Sequence, residues 1–336
     1  MKKIIKALLP KSMLKLISNN SYYRNKRLKN EYKYDFKKFK KYSFVFGKER
    51  QKRHYEAELI FYYHKIEKGL ALPEPRQGFG LEPIKHLIKI LKKYIKNYGW
   101  DEISSTSLSA LEEYYDFNKN NGLELKKLYK EIEKFKNSIP TSLDQGIGGT
   151  RSITKEEIDQ SLIDFNKFAK TRYSIRDFTP GEVSDELIKE AVQISQKTPS
   201  VCNRHSWKVY SYSTEADKKK ILQFQNGNRG FGHLADKVLI VTMDLRDFRG
   251  PIERNQAYID GGMYSMSLIY ALHSLGLGTC PLNLSIVNKT EKKLKQATGI
   301  SDSEVFMMMI AVGHIPDNLK VAQSPRRDVD EVLTLN

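Results

Sequence analysis

Two short arginine clusters are the part of this chain best suited to binding a charged ligand. Residues 172–176 place Arg172 and Arg176 on either side of Ser174, and Arg326 and Arg327 follow about 150 residues later. Guanidinium groups stay charged at any working pH and bind phosphate oxygens through paired hydrogen bonds. If folding brings the two clusters together, they form one binding site for a phosphate dianion.

A second group of reactive side chains lies in the loop over residues 64–80, which contains His64, Glu67, Lys68 and Arg76. Its glycines permit a tight turn that approaches a ligand or a partner backbone. The pattern is compatible with a ligand site and equally with a polar turn held by local ion pairs. His64 is therefore one candidate catalytic residue.

The two cysteines, Cys202 and Cys280, lack the paired spacing of a zinc site or a redox dithiol. No metal site is predicted, and the expected location is a reducing cytoplasm. The chain also has no apolar run near the roughly 18 residues that span a bilayer.

The positive charge is concentrated at the start of the chain. The net charge is +17, and residues 1–50 carry 16 lysines and arginines against three acids. Such a surplus predicts contact with an anionic partner, such as the inner surface of a membrane, or a solvated basic tail. Residues 4–17 fit an interfacial amphipathic helix, kinked at Pro10, or a helix packed on its own domain. No nucleic-acid-binding module accompanies them, so a nucleic-acid partner is not expected.

The elements that must position these residues fall into two halves. Residues 1–50 are predicted to be a basic, partly amphipathic arm, and residues 51–139 a helical domain. Residues 140–152 are rich in helix breakers and are predicted to be a linker. The helices expected before the linker, from apolar periodicity, cover residues 53–65, 84–98, 107–118 and 123–136.

Helices and strands alternate in the second predicted domain, over residues 153–336. A helix capped by Thr154 is expected to lead into Arg172, and another to begin after Ser184. The strands expected from apolar pattern cover residues 207–213, 238–243 and 305–312, and the further helices 214–224, 255–275 and 290–298. The 255–275 helix is predicted to stop at the glycines that follow it.

Four motifs in this domain resemble, in order and spacing, those of the FMN-dependent nitroreductase family. They are Arg-x-Ser-x-Arg at 172–176, Pro-Ser-x-x-Asn at 199–203 before Trp207, Gly-Leu-Gly at 276–278, and Pro-Arg-Arg at 325–327. The resemblance covers residues from about 155 to 336. It implies an α+β, three-layer fold, with a mainly antiparallel sheet flanked by helices, preceded here by a mostly helical region.

FMN is the cofactor that the resemblance implies. Arg172, Arg326 and Arg327 suit its phosphate, Ser174 adds a hydroxyl donor, and a cation at the ring edge would stabilise the reduced flavin. The residues expected to bind FMN are Arg172, Tyr173, Ser174, Arg176, Pro199, Ser200, Asn203, Gly278, Thr279, Pro281, Leu282, Asn283, Arg326 and Arg327.

The resemblance also implies the reaction. NADH or NADPH would give a hydride to flavin N5 and leave, and a small organic acceptor (a nitro compound, a quinone or a dedicated metabolite) would take its place, giving ping-pong kinetics. Family members are homodimers with flavin sites at the interface, and the 255–275 helix suits that contact through Met263, Met266, Leu268, Ile269, Ala271 and Leu272. Two alternatives are a dedicated flavin dehydrogenase with the N-terminal region as lid, and a non-catalytic flavin-fold protein docked to an anionic surface.

The chain departs from the family after Asn203. Members usually continue Asn-x-Gln-Pro-Trp, whereas this chain has Arg204, His205 and Ser206 before Trp207. His205 is either a proton donor near the substrate or a capping imidazole. The catalytic residue is therefore unassigned, with His205 and His64 as candidates.

Overall fold

The computed structural model describes residues 20–46, 50–72, 74–143, 148–152, 163–319, 321–322 and 328–336. Within these ranges the chain forms ten α-helices and one four-stranded antiparallel sheet. The predicted α+β class is confirmed. The amphipathic segment at 4–17, the helix expected after Thr154, and the arginines at 326 and 327 lie outside the described residues.

The first described helix, α1 (Ser21–Tyr42), falls where the sequence has only weak periodicity. Asn20 caps it, since its Oδ1 accepts the Tyr22 N–H at 2.9 Å. Phe39 and Tyr42 pack on the core of the C-terminal domain, and Glu31 accepts the Asn288 N–H at 2.8 Å. These contacts far along the chain stabilise α1, because most helical stability in proteins comes from tertiary packing.

The helical domain consists of four helices, close to the predicted ones: α2 (Lys52–Leu70), α3 (Leu81–Tyr98), α4 (Glu102–Asn120) and α5 (Lys126–Lys136). Asp101 caps α4 through the Ser104 N–H. The helices share one core, in which Leu59, Leu87, Leu91 and Leu111 are fully buried.

The C-terminal sheet contains β1 (Trp207–Tyr212), β2 (Lys237–Asp244), β3 (Leu277–Asn283) and β4 (Glu304–His314) in the order β1-β2-β4-β3. Strand β2 is buried on both faces: Leu239 and Val241 point into one apolar cluster, and Val238 and Ile240 into another. The helices of this domain are α6 (Phe165–Thr171), α7 (Asp185–Ser195), α8 (Glu215–Leu222), α9 (Gln256–Ser274) and α10 (Asn288–Thr298). Helices α7 and α9 cover the first cluster, and α8 and α10 the second, so the predicted three layers are present.

Close packing explains one of the two adjacent glycines within α9. A Cβ on Gly261 would lie 2.5 Å from the Met307 side chain, whereas one on Gly262 would meet nothing within 4 Å. Gly261 therefore lets α9 approach the sheet directly.

Helix α2 docks on the C-terminal domain through a paired hydrogen bond. Arg53 Nε and Nη2 donate to the two carboxylate oxygens of Asp247, each at 2.7 Å, and Asp247 is buried. Arg246 donates to Gln51 at 2.9 Å beside it, and Cys202 packs against the core of the helical domain. The two halves of the chain therefore meet across a polar contact flanked by an apolar one.

Residues 148–152, part of the predicted linker, return to the helical domain. The Gly149 N–H donates to Glu67 at 3.2 Å, and the Thr150 N–H donates to Glu113 at 2.6 Å. Among the helices of the described ranges, none is long and apolar enough to cross a membrane.

Candidate active site

The arginine segment at 172–176 lies along the edge of strand β3. Ser174 forms a parallel bridge with Thr279, and the Ile175 N–H donates to the Thr279 carbonyl at 2.8 Å. Ile175 is buried, which anchors the segment, while Arg176 is exposed. The fold thus brings the first arginine cluster beside the predicted residues of β3.

The guanidinium groups of this segment are available to an anion. Within the described part of the chain, neither Arg172 nor Arg176 has a carboxylate within ion-pair distance. Arg176 donates weakly to the Ser174 carbonyl at 3.3 Å and lies 5.8 Å from the Phe231 ring centre. Burial lowers the pKa of His273, and the charge of Arg172 contributes. These two arginines therefore add positive charge beside a serine hydroxyl.

Strand β3 itself was not predicted, since Gly278 and Pro281 are poor strand formers. It is an edge strand, where proline is tolerated, and its pairing with β4 fixes it. Thr279 and Leu282 are buried, so they offer a ligand only their backbone, whereas Pro281 is half-buried and Asn283 exposed. A Cβ on Gly278 would lie 3.1 Å from Ile315, so packing explains this glycine without a ligand.

The second group of predicted residues lies in a strained turn at 199–205. Cys202, Asn203 and His205 have left-handed backbones, with φ of 50°, 54° and 48°. Each such residue costs about 1–3 kcal/mol, and such strain clusters at functional sites. The Ser200 Oγ accepts the His205 N–H at 3.1 Å, and the Val201 N–H donates to Asp260 at 3.1 Å. The turn is therefore held on both sides.

His205 is a positioned imidazole within this turn. Its ring stacks on Trp207 with centres 5.0 Å apart, and its Nε2 lies 2.7 Å from Asn203 Oδ1. Removal from water lowers the pKa of His205, and the charge of His64 lowers it further. The neutral ring is therefore favoured, although part of it stays exposed.

Helix α2 brings the other candidate histidine to the same place. His64 Nδ1 lies 3.0 Å from Glu67 Oε2, which orients the ring. Burial raises the pKa of the Cys202 thiol, and the charges of Lys68 and Lys65 oppose that shift. Helix α2 contacts residues 201–203 of the turn, where Cys202 packs against the core of the helical domain. The sequence offered both histidines as candidates but contained no signal that they are neighbours.

Residues 64–70 belong to α2, so the prediction of a loop there was wrong, and His64, Glu67 and Lys68 lie on a helix. The remainder of the predicted 64–80 loop folds back on its own domain. The Gly78 N–H donates to Asn118 Oδ1 at 2.7 Å, and Arg76 is exposed. In the described ranges, no group of three His, Cys, Asp or Glu side chains is arranged to hold a metal ion.

The two groups of predicted residues lie at opposite ends of α9. Asp260, which holds the turn, is near the start of the helix. His273, whose Nε2 lies 3.1 Å from Thr171 Oγ1 next to Arg172, is near its end. At 1.5 Å per residue these positions are about 20 Å apart along the helix. Within a single chain, the arginine segment and the turn therefore lie at opposite ends of α9.

The outward face of α9 differs from the one expected. Leu268, Ile269, Ala271 and Leu272, predicted to suit a dimer interface, are buried in the core of their own chain. The sequence prediction was wrong on these residues, because a helix covering a sheet buries most of its apolar positions. The exposed apolar side chains are Tyr258, Ile259 and Met263, which flank Gly262.

Comparisons with known proteins found matches to the C-terminal half of the chain. The model of the nitroreductase family matches residues 169–228 and 223–314. The chain has no match among curated proteins. It is similar to three solved structures: an FMN-dependent nitroreductase from Clostridium difficile R20291 (19% identity, 50% of this chain and 98% of that chain, TM-score 0.43), a nitroreductase family protein from Streptococcus pneumoniae TIGR4 (19%, 52% and 100%, 0.45) and NfrA2 from B. megaterium (23%, 52% and 74%, 0.44).

Proposed function

We propose that this chain, whose C-terminal half contains a nitroreductase-family domain, is an FMN-dependent oxidoreductase. The observation that carries the proposal is the arginine segment, which lies inside the matched residues and along β3. Backbone pairing with β3 aligns the segment. Within the described residues, no carboxylate forms an ion pair with Arg172 or Arg176. This is what a site for a bound phosphate requires.

The residues fit the phosphate end of FMN. Arg172 and Arg176 supply positive charge, and Ser174 between them supplies a hydroxyl donor. Arg326 and Arg327, which belong to the same expected site, would complete it. Among the residues that the structure describes, neither Arg172 nor Arg176 has an ion pair that a phosphate dianion would have to break.

The turn residues Pro199, Ser200 and Asn203 would hold the ring of the flavin. We propose that the chain is a homodimer, in which the turn of one protomer and the arginine segment of its partner serve the same flavin. The separation of about 20 Å along α9 supports this arrangement. The exposed face at Tyr258, Ile259 and Met263 would lie in the interface.

FMN, when bound, would supply hydride transfer from NADH or NADPH to an organic acceptor. The side chains of the protein would bind and orient the reactants. If Asn203 Oδ1 accepts from His205 Nε2, Nδ1 of the neutral ring is left as a hydrogen-bond acceptor. Proton donation by His205 would require the imidazolium, which the lowered pKa disfavours. His205 would therefore orient a ligand in preference to protonating it.

The position of α2 favours a dedicated acceptor over a broad range of acceptors. Helix α2 contacts residues 201–203 of the turn, so the helical domain would form one wall of the substrate pocket. A dedicated flavin dehydrogenase, with the N-terminal region shaping the pocket, is the second candidate function.

The test is the absorbance spectrum of the purified full chain, followed by titration with FMN. We expect a flavin spectrum, bleached by NADH or NADPH. Arg172→Ala should weaken FMN binding by at least about tenfold, the effect of losing one charge-assisted hydrogen bond. Lys219→Gln removes an exposed charge on α8 and is the matched control. A wild-type chain that neither contains nor binds FMN would overturn the proposal.

A further inference from the structure

A cavity of about 560 Å³ lies between α1 and α10, and nothing in the proposed flavin site uses it. Its volume is within the range of small-molecule sites. Lysines and tyrosines dominate its lining, which includes Tyr34, Lys37, Lys38, Lys41, Tyr42, Lys292, Lys295 and Asp302. The cavity is therefore strongly basic.

Two of these lysines are buried and already have partners. Lys38 forms an ion pair with Glu291. Lys295 Nζ donates to the carbonyl of Ser301 at 2.8 Å and to that of Glu304. Burial, with the nearby charge of Lys38, lowers the pKa of Lys295 to about 7. These side chains form the floor of the cavity and hold α1 against α10.

The other three lysines are exposed at its rim. Among the residues that the structure describes, Lys37, Lys41 and Lys292 have no carboxylate within the 4.0 Å of an ion pair. Lys41 Nζ lies 2.9 Å from the Tyr42 hydroxyl, and Lys292 lies 5.0 Å from the Tyr34 ring centre. The rim thus combines three ammonium groups with two phenol hydroxyls.

We propose that this cavity binds a ligand carrying two or more phosphate groups. Lysine ammonium groups bind phosphate as point charges, and three of them around one concave surface exceed what a single phosphate neutralises. Tyr34 and Tyr42 add phenol hydroxyls that can donate to phosphate oxygens, and burial raises the pKa of Tyr34. The phosphates belong either to a soluble oligophosphate or to the headgroups of an anionic lipid surface.

The experiment measures binding of two probes to the full chain. Tripolyphosphate is titrated calorimetrically, and vesicles of phosphatidylcholine, with or without phosphatidylglycerol, are pelleted with the protein. The test variant is Lys37→Gln with Lys292→Gln, which removes one rim charge from each helix. The matched control is Lys33→Gln with Lys289→Gln, which removes the same charge from exposed positions on the same helices.

We expect the test variant to lose at least about tenfold in affinity, and the control less than about threefold. Lysine-dependent binding of tripolyphosphate identifies a soluble ligand. Lysine-dependent binding of phosphatidylglycerol vesicles alone identifies a lipid headgroup. The proposal is overturned if wild type binds neither probe, or if the test and control variants lose the same affinity. Thermal melting of both variants checks that they fold. The two binding measurements do not depend on FMN.

Discussion

At the scale of single residues, the paired histidines connect the two halves of the chain. His205 belongs to the C-terminal domain and His64 to the helical domain, and the charge of His64 lowers the pKa of His205. Sequence reasoning identified the two residues separately: His64 from its cluster with other charged side chains, and His205 from the departure from the family motif after Asn203. It could not pair them, since their proximity depends on how α2 docks on the turn.

Replacing His64 should change the pH dependence of turnover. In His64→Ala the opposing charge is lost, so the pKa of His205 rises toward its ordinary value and His205 takes up a proton at higher pH. If turnover needs neutral His205, the acidic limb of the kcat/KM profile moves to higher pH, while FMN content stays the same. His86→Ala, at an exposed position of α3, is the control. Identical profiles for both variants and wild type would reduce His64 to a structural residue.

At the scale of elements, the helices and strands with strong apolar patterns were predictable. Helices α2 to α5 and α9, and strands β2 and β4, all appear near their expected bounds. Helix α1 and strand β3 were not predicted, for the same reason. Neither has a strong apolar pattern of its own, and each is stabilised by contacts far along the chain: α1 by α10, and β3 by its pairing with β4. The arginine segment was found by its motif, but its alignment along β3 depended on that unpredicted strand.

The contact between Arg53 and Asp247 should decide how firmly α2 docks. Burial raises the pKa of Asp247 to about 6 in spite of Arg53. Arg53→Ala leaves this buried carboxylate unpaired, so the free energy of unfolding at pH 7 should fall by about 3–5 kcal/mol. At pH 5 Asp247 can take up a proton instead, and the loss should be smaller.

Urea denaturation at the two pH values measures this difference. The control is Lys52→Ala, which removes the exposed lysine of an ion pair with Asp101. It should lower the free energy of unfolding by less than about 1 kcal/mol at both pH values. If Arg53→Ala lowers the free energy of unfolding equally at pH 5 and pH 7, Arg53 does not act by compensating the charge of Asp247.

At the scale of the whole molecule, formation of the proposed homodimer should depend on one exposed patch of α9. Ile259 is 53% exposed between Tyr258 and Gly262. Ile259→Glu would place a charge in the interface, so we expect monomers in sedimentation and a loss of bound FMN. Ile194→Glu, on a residue 48% exposed on α7, should change neither. A monomeric wild-type protein with full FMN occupancy would contradict the shared site.

The bridge between Ser174 and Thr279 affects whether molecules of this protein can aggregate through the edge of the sheet. Strand β3 is one end of the sheet, and an uncovered end is a template on which strands of other molecules can assemble. The arginine segment occupies part of that end and adds charge to it. The stretch proposed to hold a phosphate would thus also protect the folded protein from aggregation.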